Sequence, residues 1–395
     1  MGPVVGLVVN PSASRDIRRL TSLARTIDVH ERVNQVARIL QGLSASDRLL
    51  PGGVGLVRYM PESCRVVERA HAEIVRAGLD GDERADPAVP AGGGSPADGH
   101  LPARVRAPGR GLAVEPVLPA GSLADDAAGT TGAAAALART GAACVVTVGG
   151  DGTNRAVAMG WPDAVLCAVA GGTNNAFAPA IDPVAAGLAA GLFAADPATA
   201  RDHAHARPRL VVRHGTAPPT FALVDVAVVR GAWVGAHAVW DPDTLVEAVV
   251  TRADPTVSGL AGLAGMVRPL PSETPAGPAR AVHLLLGRRG DGRRGDLASP
   301  GERTVLAPLG PGQLVPVVVR AWHPLEVDAS ILLGPYPEPV TLAFDGEREV
   351  VVEAGMPIEV RLARSPLRLL DAAGLLRALS ERGGLVLPAE LPGTG

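Results

Sequence analysis

Two short apolar runs that each break on paired glycines constrain this chain more than any other feature. Residues 143–148 end in Gly149-Gly150-Asp151-Gly152-Thr153, and residues 164–170 end in Gly171-Gly172-Thr173-Asn174-Asn175. A continuous valine- and alanine-rich run bounded by turn residues predicts a strand buried on both faces, the kind found in parallel sheets. A helix is predicted to open at 154–159 after the first turn, and another at 184–195 after the second. Strand, glycine turn and helix in succession make βα units, which put the carboxyl ends of their strands on one edge of a sheet. Two glycine turns on that edge line one crevice.

The same alternation reaches back to the start of the chain. Val4–Val9 predicts a first strand that runs into Asn10-Pro11. Asp28 and Glu31 predict a capping box for a helix with Val33, Val36, Leu40 and Leu43 at helical spacing. Strands at 56–59 and 113–117 and helices around 67–79 and 124–139 complete an α/β domain over residues 1–205, with a mostly parallel sheet. Residues 81–110 hold abundant Pro, Gly, Asp and Ala without periodicity and predict a flexible surface insertion. Beyond residue 205 strands follow one another at 210–213, 221–229, 281–286, 304–309, 315–320, 340–345, 349–353 and 358–362. Pro and Gly separate them, which predicts an all-β, sandwich-like domain over 206–365. Within it only 244–268 looks helical, and 288–303 reads as a long exposed hairpin loop. A helix at 367–379 closes the fold in a final segment, 366–395. At 395 residues the chain exceeds what one compact core holds, which agrees with two domains.

Composition excludes several functions. A net charge of −3 without a basic block argues against nucleic acid. No apolar run reaches the 18 residues of a membrane span. Three cysteines without CxxC spacing suit a reducing compartment, and the N-terminus lacks the charged start and apolar core of a signal peptide, so a cytoplasmic location is expected. Every one of the 37 basic residues is arginine, which removes mechanisms that need a P-loop, Schiff-base or general-base lysine. His203 and His205 have HxH spacing but no Cys or acidic partners, and read as a solvated linker. Asp225 lies in an apolar strand, either buried or facing a cleft, and Asp241 and Asp243 read as a helix start.

Glycines between a strand and a helix let the backbone approach a ligand, and successive N–H groups with a helix N-terminus behind them suit phosphate. An aspartate in such a turn repels phosphate, so Asp151 needs another task. It orders Mg²⁺, accepts a proton from an attacking hydroxyl, or simply caps the helix. Asn174 and Asn175 supply neutral amides suited to ribose or other hydroxyls.

GGDGT followed one strand later by GGTNNAF resembles the superfamily that unites NAD kinases with diacylglycerol and sphingosine lipid kinases. VNPSASRDIRRL, TVGGDGTNRAVA, GGTNNAF, ALVDVAVV, AVWDP and LAFDGERE together resemble its ATP-NAD kinase-like family of the acetoin-catabolism protein X type. The resemblance spans most of the chain except 81–110 and 288–303. It implies an active site between an α/β domain and a β-sandwich-like domain, with ATP and Mg²⁺ as cofactors. It implies nucleotide contacts from Asn10, Pro11, Gly149, Gly150, Gly152, Thr153, Gly172, Thr173, Asn174 and Asn175. Asp151, Asp345 and Glu347 would be catalytic, with Asp151 and Asp345 holding the metal, while Arg15, Arg18 and Arg155 are candidate phosphate clamps. The implied reaction is phosphoryl transfer to a hydroxyl of NAD or a related small metabolite. Alternatives are a lipid or polyol kinase and a nucleotide-binding regulator with little turnover. Asn175 stands where NAD kinases carry an acid, and no cationic amphipathic stretch offers a membrane surface. The superfamily also implies a homo-oligomer built through the second domain.

Overall fold

A computed structural model describes residues 2–13, 27–50, 52–78, 111–118, 122–172, 175–232, 241–270, 280–287, 302–310 and 312–386. The 81–110 insertion therefore lies outside the described residues.

The expected strands form β1 (Val4–Val9), β2 (Leu56–Tyr59), β3 (Ala113–Pro116), β4 (Cys144–Gly149) and β5 (Val165–Ala170), all parallel neighbours in the order β3-β2-β1-β4-β5. Helices α1 (Val29–Leu49), α2 (Val66–Arg76), α3 (Ala127–Ala138), α4 (Asp151–Gly160) and α5 (Pro183–Ala195) alternate with them. The cap of α1 is as expected: Asp28 Oδ1 accepts the Glu31 N–H at 2.7 Å. The chain builds outward from β1 to β3, then jumps back to β4 beside β1. That jump creates a topological switch point between β1 and β4, where such sheets bind ligands. Helices α1, α2 and α5 cover one face of the sheet, in a core with Val5, Leu7, Val146 and Val148. Helices α3 and α4 cover the other.

The short strand β6 (Ala204–Ala206) follows, so the HxH segment, expected as a solvated linker, is part of the first sheet's edge. Eleven strands then build an all-β unit: β7 (Arg209–His214), β8 (Thr220–Ala222), β9 (Asp225–Arg230), β10 (Leu245–Val250), β11 (Arg280–Gly287), β12 (Arg303–Gly310), β13 (Gln313–Glu326), β14 (Ser330–Leu333), β15 (Val340–Phe344), β16 (Glu347–Val352) and β17 (Ile358–Ala363). They make two antiparallel sheets, β12-β13-β11-β10-β9-β15-β16 and β14-β17-β7-β8. A shared apolar layer including Leu210, Val228, Phe344 and Val360 joins them. The expected architecture, an α/β domain plus an antiparallel sandwich-like domain, is the observed one.

Three expectations fail locally. Residues 245–250 of the supposed helix form strand β10, whose alternate side chains pack on two different cores, and the helix, α6, spans only Leu260–Val267. The 288–303 segment, described only from residue 302, does not join hairpin partners, because β13 lies between β11 and β12. The last helix, α7, starts later, at Ala372 (Ala372–Glu381), since Arg368–Leu370 form β18 instead. Strand β18 pairs parallel with β5 and antiparallel with β6, returning the chain to the first sheet.

Candidate functional site

The switch point brings together three segments remote in sequence. After β1, Asn10 is fixed by its N–H to the Val148 carbonyl at 2.9 Å, and its Nδ2 donates to Thr153 Oγ1 at 3.0 Å. After β4, Gly150 lies extended and helix α4 begins at Asp151. After β5, the Gly171 N–H donates to the Gly149 carbonyl at 2.9 Å, so the two glycine turns are tied. Gly172 is needed for contact with the first turn, and Gly149 for the packing of Thr153. A Cβ on Gly172 would lie 2.6 Å from Gly150 Cα, and one on Gly149 would meet the Thr153 side chain at 2.5 Å. Thr173 and Asn174 lie outside the described residues, as do Arg15 and Arg18.

Asp151 fastens the second turn. Its two oxygens accept the Ala176 and Phe177 N–H groups, each at 3.0 Å, in a buried setting. Asn175 closes the same loop: its Oδ1 accepts from Gly172 N–H at 2.9 Å and Gly171 N–H at 3.2 Å, while its Nδ2 donates to the Gly172 carbonyl. Within the first turn, Asn154 accepts from Thr147 Oγ1 at 2.6 Å and donates to the Gly150 carbonyl, which locks β4 to α4.

From the second domain, Asp345-Gly346 forms the two-residue turn between β15 and β16, with φ of 51° and 83°. Positive φ at both positions is what an Asp-Gly hairpin turn supplies. The Asp345 carboxylate accepts the Leu223, Val224 and Asp225 N–H groups at 2.7–3.3 Å, fixing the entry to β9. Asp225 is buried, and its carboxylate accepts the Gly346 N–H at 3.2 Å. Burial pushes Asp345 up to about 7, against the opposing pull of Arg155 and the backbone N–H groups and with some help from the Asp151 charge.

Glu347 differs from both aspartates. It is exposed, and its Oε1 stands 3.3 Å from where a Cβ on Gly152 would project, so its carboxylate overhangs the start of α4. Arg155, expected as a phosphate clamp, is instead a cross-domain tie. Its guanidinium makes a bidentate pair with Glu349 and stacks over the Phe344 ring at 4.9 Å. A second tie joins Arg252, after β10, to the Ala176 carbonyl and to Asp254.

Sequence reasoning missed Arg32 and Gln35. Arg32, 1% exposed, donates to the Gly171 carbonyl at 2.7 Å and the Ala13 carbonyl at 3.2 Å, and Gln35 donates to the Ala170 carbonyl at 3.0 Å. The signal was present, since Arg32 heads the stripe Val36, Ile39 and Leu43 at helical spacing.

The metal expectation meets a poor donor set. Mg²⁺ takes carboxylate oxygens turned into a site, and both oxygens of Asp151 and of Asp345 are turned toward backbone N–H groups. Among the described residues no group of three or more His, Cys, Asp or Glu could hold an ion. These two aspartates therefore do not fit as its ligands. A phosphate fits better: the N-terminus of the ten-residue helix α4 opens at the switch point with glycines on either side of Asp151.

Fold and site together define a two-domain protein in which a β-sandwich presents acidic residues to a glycine turn at the switch point of a parallel sheet. The family model of the acetoin catabolism protein X C-terminal domain matches residues 208–365. Acetoin catabolism protein X of Cupriavidus necator (strain H16) is 31% identical over 388 residues, covering 95% of this chain and 92% of that protein. The chain belongs to the acetoin catabolism protein X family. Yeast NADH kinase complexed with NADH is similar at 14% identity and a TM-score of 0.44, over 99% of this chain and 90% of that one. A diacylglycerol kinase from Bacillus anthracis str. Sterne is similar at 12% identity and a TM-score of 0.35, over 93% and 97%. Both structural likenesses are distant. No helix among the described residues is long and apolar enough to cross a membrane.

Proposed function

We propose that the chain is an ATP-dependent phosphotransferase acting on a hydroxyl of NAD or a related small metabolite, in the crevice between the glycine turns and Glu347. The observation that carries this reading is the exposed Glu347 carboxylate poised over the N-terminus of α4. The helix end and the Gly150–Gly152 backbone hold the polyphosphate, which compensates for the absence of lysine. The acceptor oxygen attacks the γ-phosphorus, ADP departs, and the hydroxyl proton passes to Glu347, the one exposed carboxylate of the three. Asp151 and Asp345 act as positioning residues that hold the two turns and the hairpin. NAD as acceptor rests on the resemblance of the glycine motifs. Free Cys64, Cys144 and Cys167 support placing the reaction in the reducing cytoplasm.

A second reading, a nucleotide-binding regulator without turnover, is favoured by the engagement of both aspartates with the backbone. A panel assay separates the two: γ-labelled ATP with Mg²⁺ is offered NAD, NADH, diacylglycerol, sphingosine and inositol. Label on NAD or NADH, lost by about 10²–10⁴ in Glu347→Gln with ATP affinity retained, is the expected result. Label on a lipid or inositol alone overturns the acceptor. ATP binding without transfer favours the regulator, and no ATP binding sinks both readings.

A further inference from the structure

The sandwich domain carries a half-buried polar chain that the proposed reaction does not use. Tyr336 Oη donates to Glu247 Oε1 at 2.8 Å, and Glu247 Oε2 lies 2.8 Å from His283 Nε2. Burial and the Glu247 charge both push the Tyr336 hydroxyl up, which keeps it a donor. With one Glu247 oxygen taken by the tyrosine, the other accepts the His283 Nε2–H. In the neutral tautomer that makes this bond, Nδ1 carries the lone pair.

Nδ1 of His283 is buried and has no hydrogen-bond partner, although the side chain is only 6% exposed. A buried polar atom left without a partner needs an explanation. Strand order supplies one. β11 lies between β10 and β13, so Glu247 stands on one flank of His283, and the directly opposed residue on the other flank is His323. The two imidazole rings lie 5.9 Å apart, tilted by 30°. His323 is therefore the neighbouring imidazole on the side of His283 away from β10. A histidine whose one nitrogen is held by a carboxylate while the other stays free is the arrangement by which proteins orient an imidazole toward a metal.

We propose that His283 Nδ1 and His323 bind one divalent transition-metal ion of the Zn²⁺, Ni²⁺ or Cu²⁺ class, with Glu247 and Tyr336 fixing the orientation of His283. Ring centroids 5.9 Å apart lie within the reach of two metal–nitrogen bonds of about 2.0–2.1 Å. Imidazole suits these metals and not Mg²⁺ or Ca²⁺. No third His, Cys, Asp or Glu converges there among the described residues, so water completes the coordination. His323 is exposed and gives the ion its way in. The site lies on the sandwich and is independent of the phosphotransferase reading.

Zn²⁺ titrated by calorimetry into the full chain, freed of metal with a chelator, tests the proposal. The wild type is expected to bind about one equivalent. His323→Asn is expected to weaken binding by at least about tenfold without moving the melting temperature measured in chelator, because His323 is exposed. Glu247→Gln is expected to weaken it about 10–100-fold, the usual effect of losing an orienting carboxylate. Nitrogen-15 spectra of the wild type are expected to show the His283 Nδ1 resonance shifting with Zn²⁺. No saturable Zn²⁺ binding, or equal affinity in His323→Asn, overturns the proposal and leaves a buried water as the partner of Nδ1.

Discussion

At the residue scale the two aspartates of the site are structural ties whose chemistry can be read by titration and unfolding. Asp345 has an ordinary carboxylate value in the unfolded chain and one raised to about 7 in the folded protein. The folded state therefore retains a proton that the unfolded state releases. The stability this contributes is fully present below about 4 and is lost as pH rises through about 7. Asp345→Asn is expected to flatten that part of the profile, measured as the difference in melting temperature between wild type and variant from pH 4 to 8. A difference independent of pH would mean that Asp345 is ionised throughout. Asp151 is the complementary case. The sequence suggests that Asp151→Asn would keep the turn and change only its charge. In the structure both oxygens accept N–H groups, so an amide –NH₂ must face either the Ala176 or the Phe177 N–H. Urea unfolding is expected to show a loss of about 1–3 kcal/mol, the cost of a buried donor without a partner. An unchanged midpoint would put Asp151 back among residues with purely chemical roles.

At the scale of elements, the helices pack by omission of side chains. A Cβ on Gly187 of α5 would lie 2.1 Å from the Ile39 carbonyl of α1, and one on Gly42 of α1 would lie 2.2 Å from the Val184 carbonyl. Backbone meets backbone there, so neither helix can yield by turning a side chain. Gly132, on α3, has nothing within 4 Å of the same position. Gly187→Ala is expected to destabilise by more than about 1 kcal/mol, as an overpacked core does, while Gly132→Ala should stabilise by about 0.5–1 kcal/mol through helix propensity alone. Thermal unfolding of the two variants checks the pair, and matching shifts would refute the close-packing account. Strands β1, β4 and β5 were legible because buried parallel strands need uninterrupted apolar runs. The glycines of α5 were not, because in AAGLAAGLFAA every residue is small or apolar, so no polar position marks a free face. β10 was misread because LVEAVV is apolar on both faces, and a short run of that kind fits a strand or a buried helix equally.

At the scale of the whole molecule, the glycine turns were legible, and the way the two domains are joined was not. The turns announced the crevice because their composition is local. Arg155–Glu349, Arg252–Ala176 and the contact of Glu347 with Gly152 join residues 76 to 195 positions apart, and no local pattern encodes a partner so distant. The same limit hid β18. Arg368–Leu370 is too short to show a strand pattern, yet its N-terminal N–H reaches the Ala164 carbonyl, Leu369 pairs with both Leu166 and His205, and Leu367, Leu369 and Leu370 are each at most 2% exposed. The Asp371 N–H bonds the His203 carbonyl at 2.7 Å, and Leu375 of α7 enters the core beneath α5. The chain's last described elements are thus a wedge that completes the first sheet. A chain ending at residue 365 would keep every strand of the sandwich but expose one edge of β5 and strand β6 without a partner. Such a chain is expected to lose protection from hydrogen exchange in β4 and β5, at the glycine turns, while β9, β10 and β15 stay protected. A chain ending at residue 386 should match the full protein. Equal protection of β5 in both truncations would show that the wedge is a surface attachment and that the switch-point crevice is built by the first 206 residues without it.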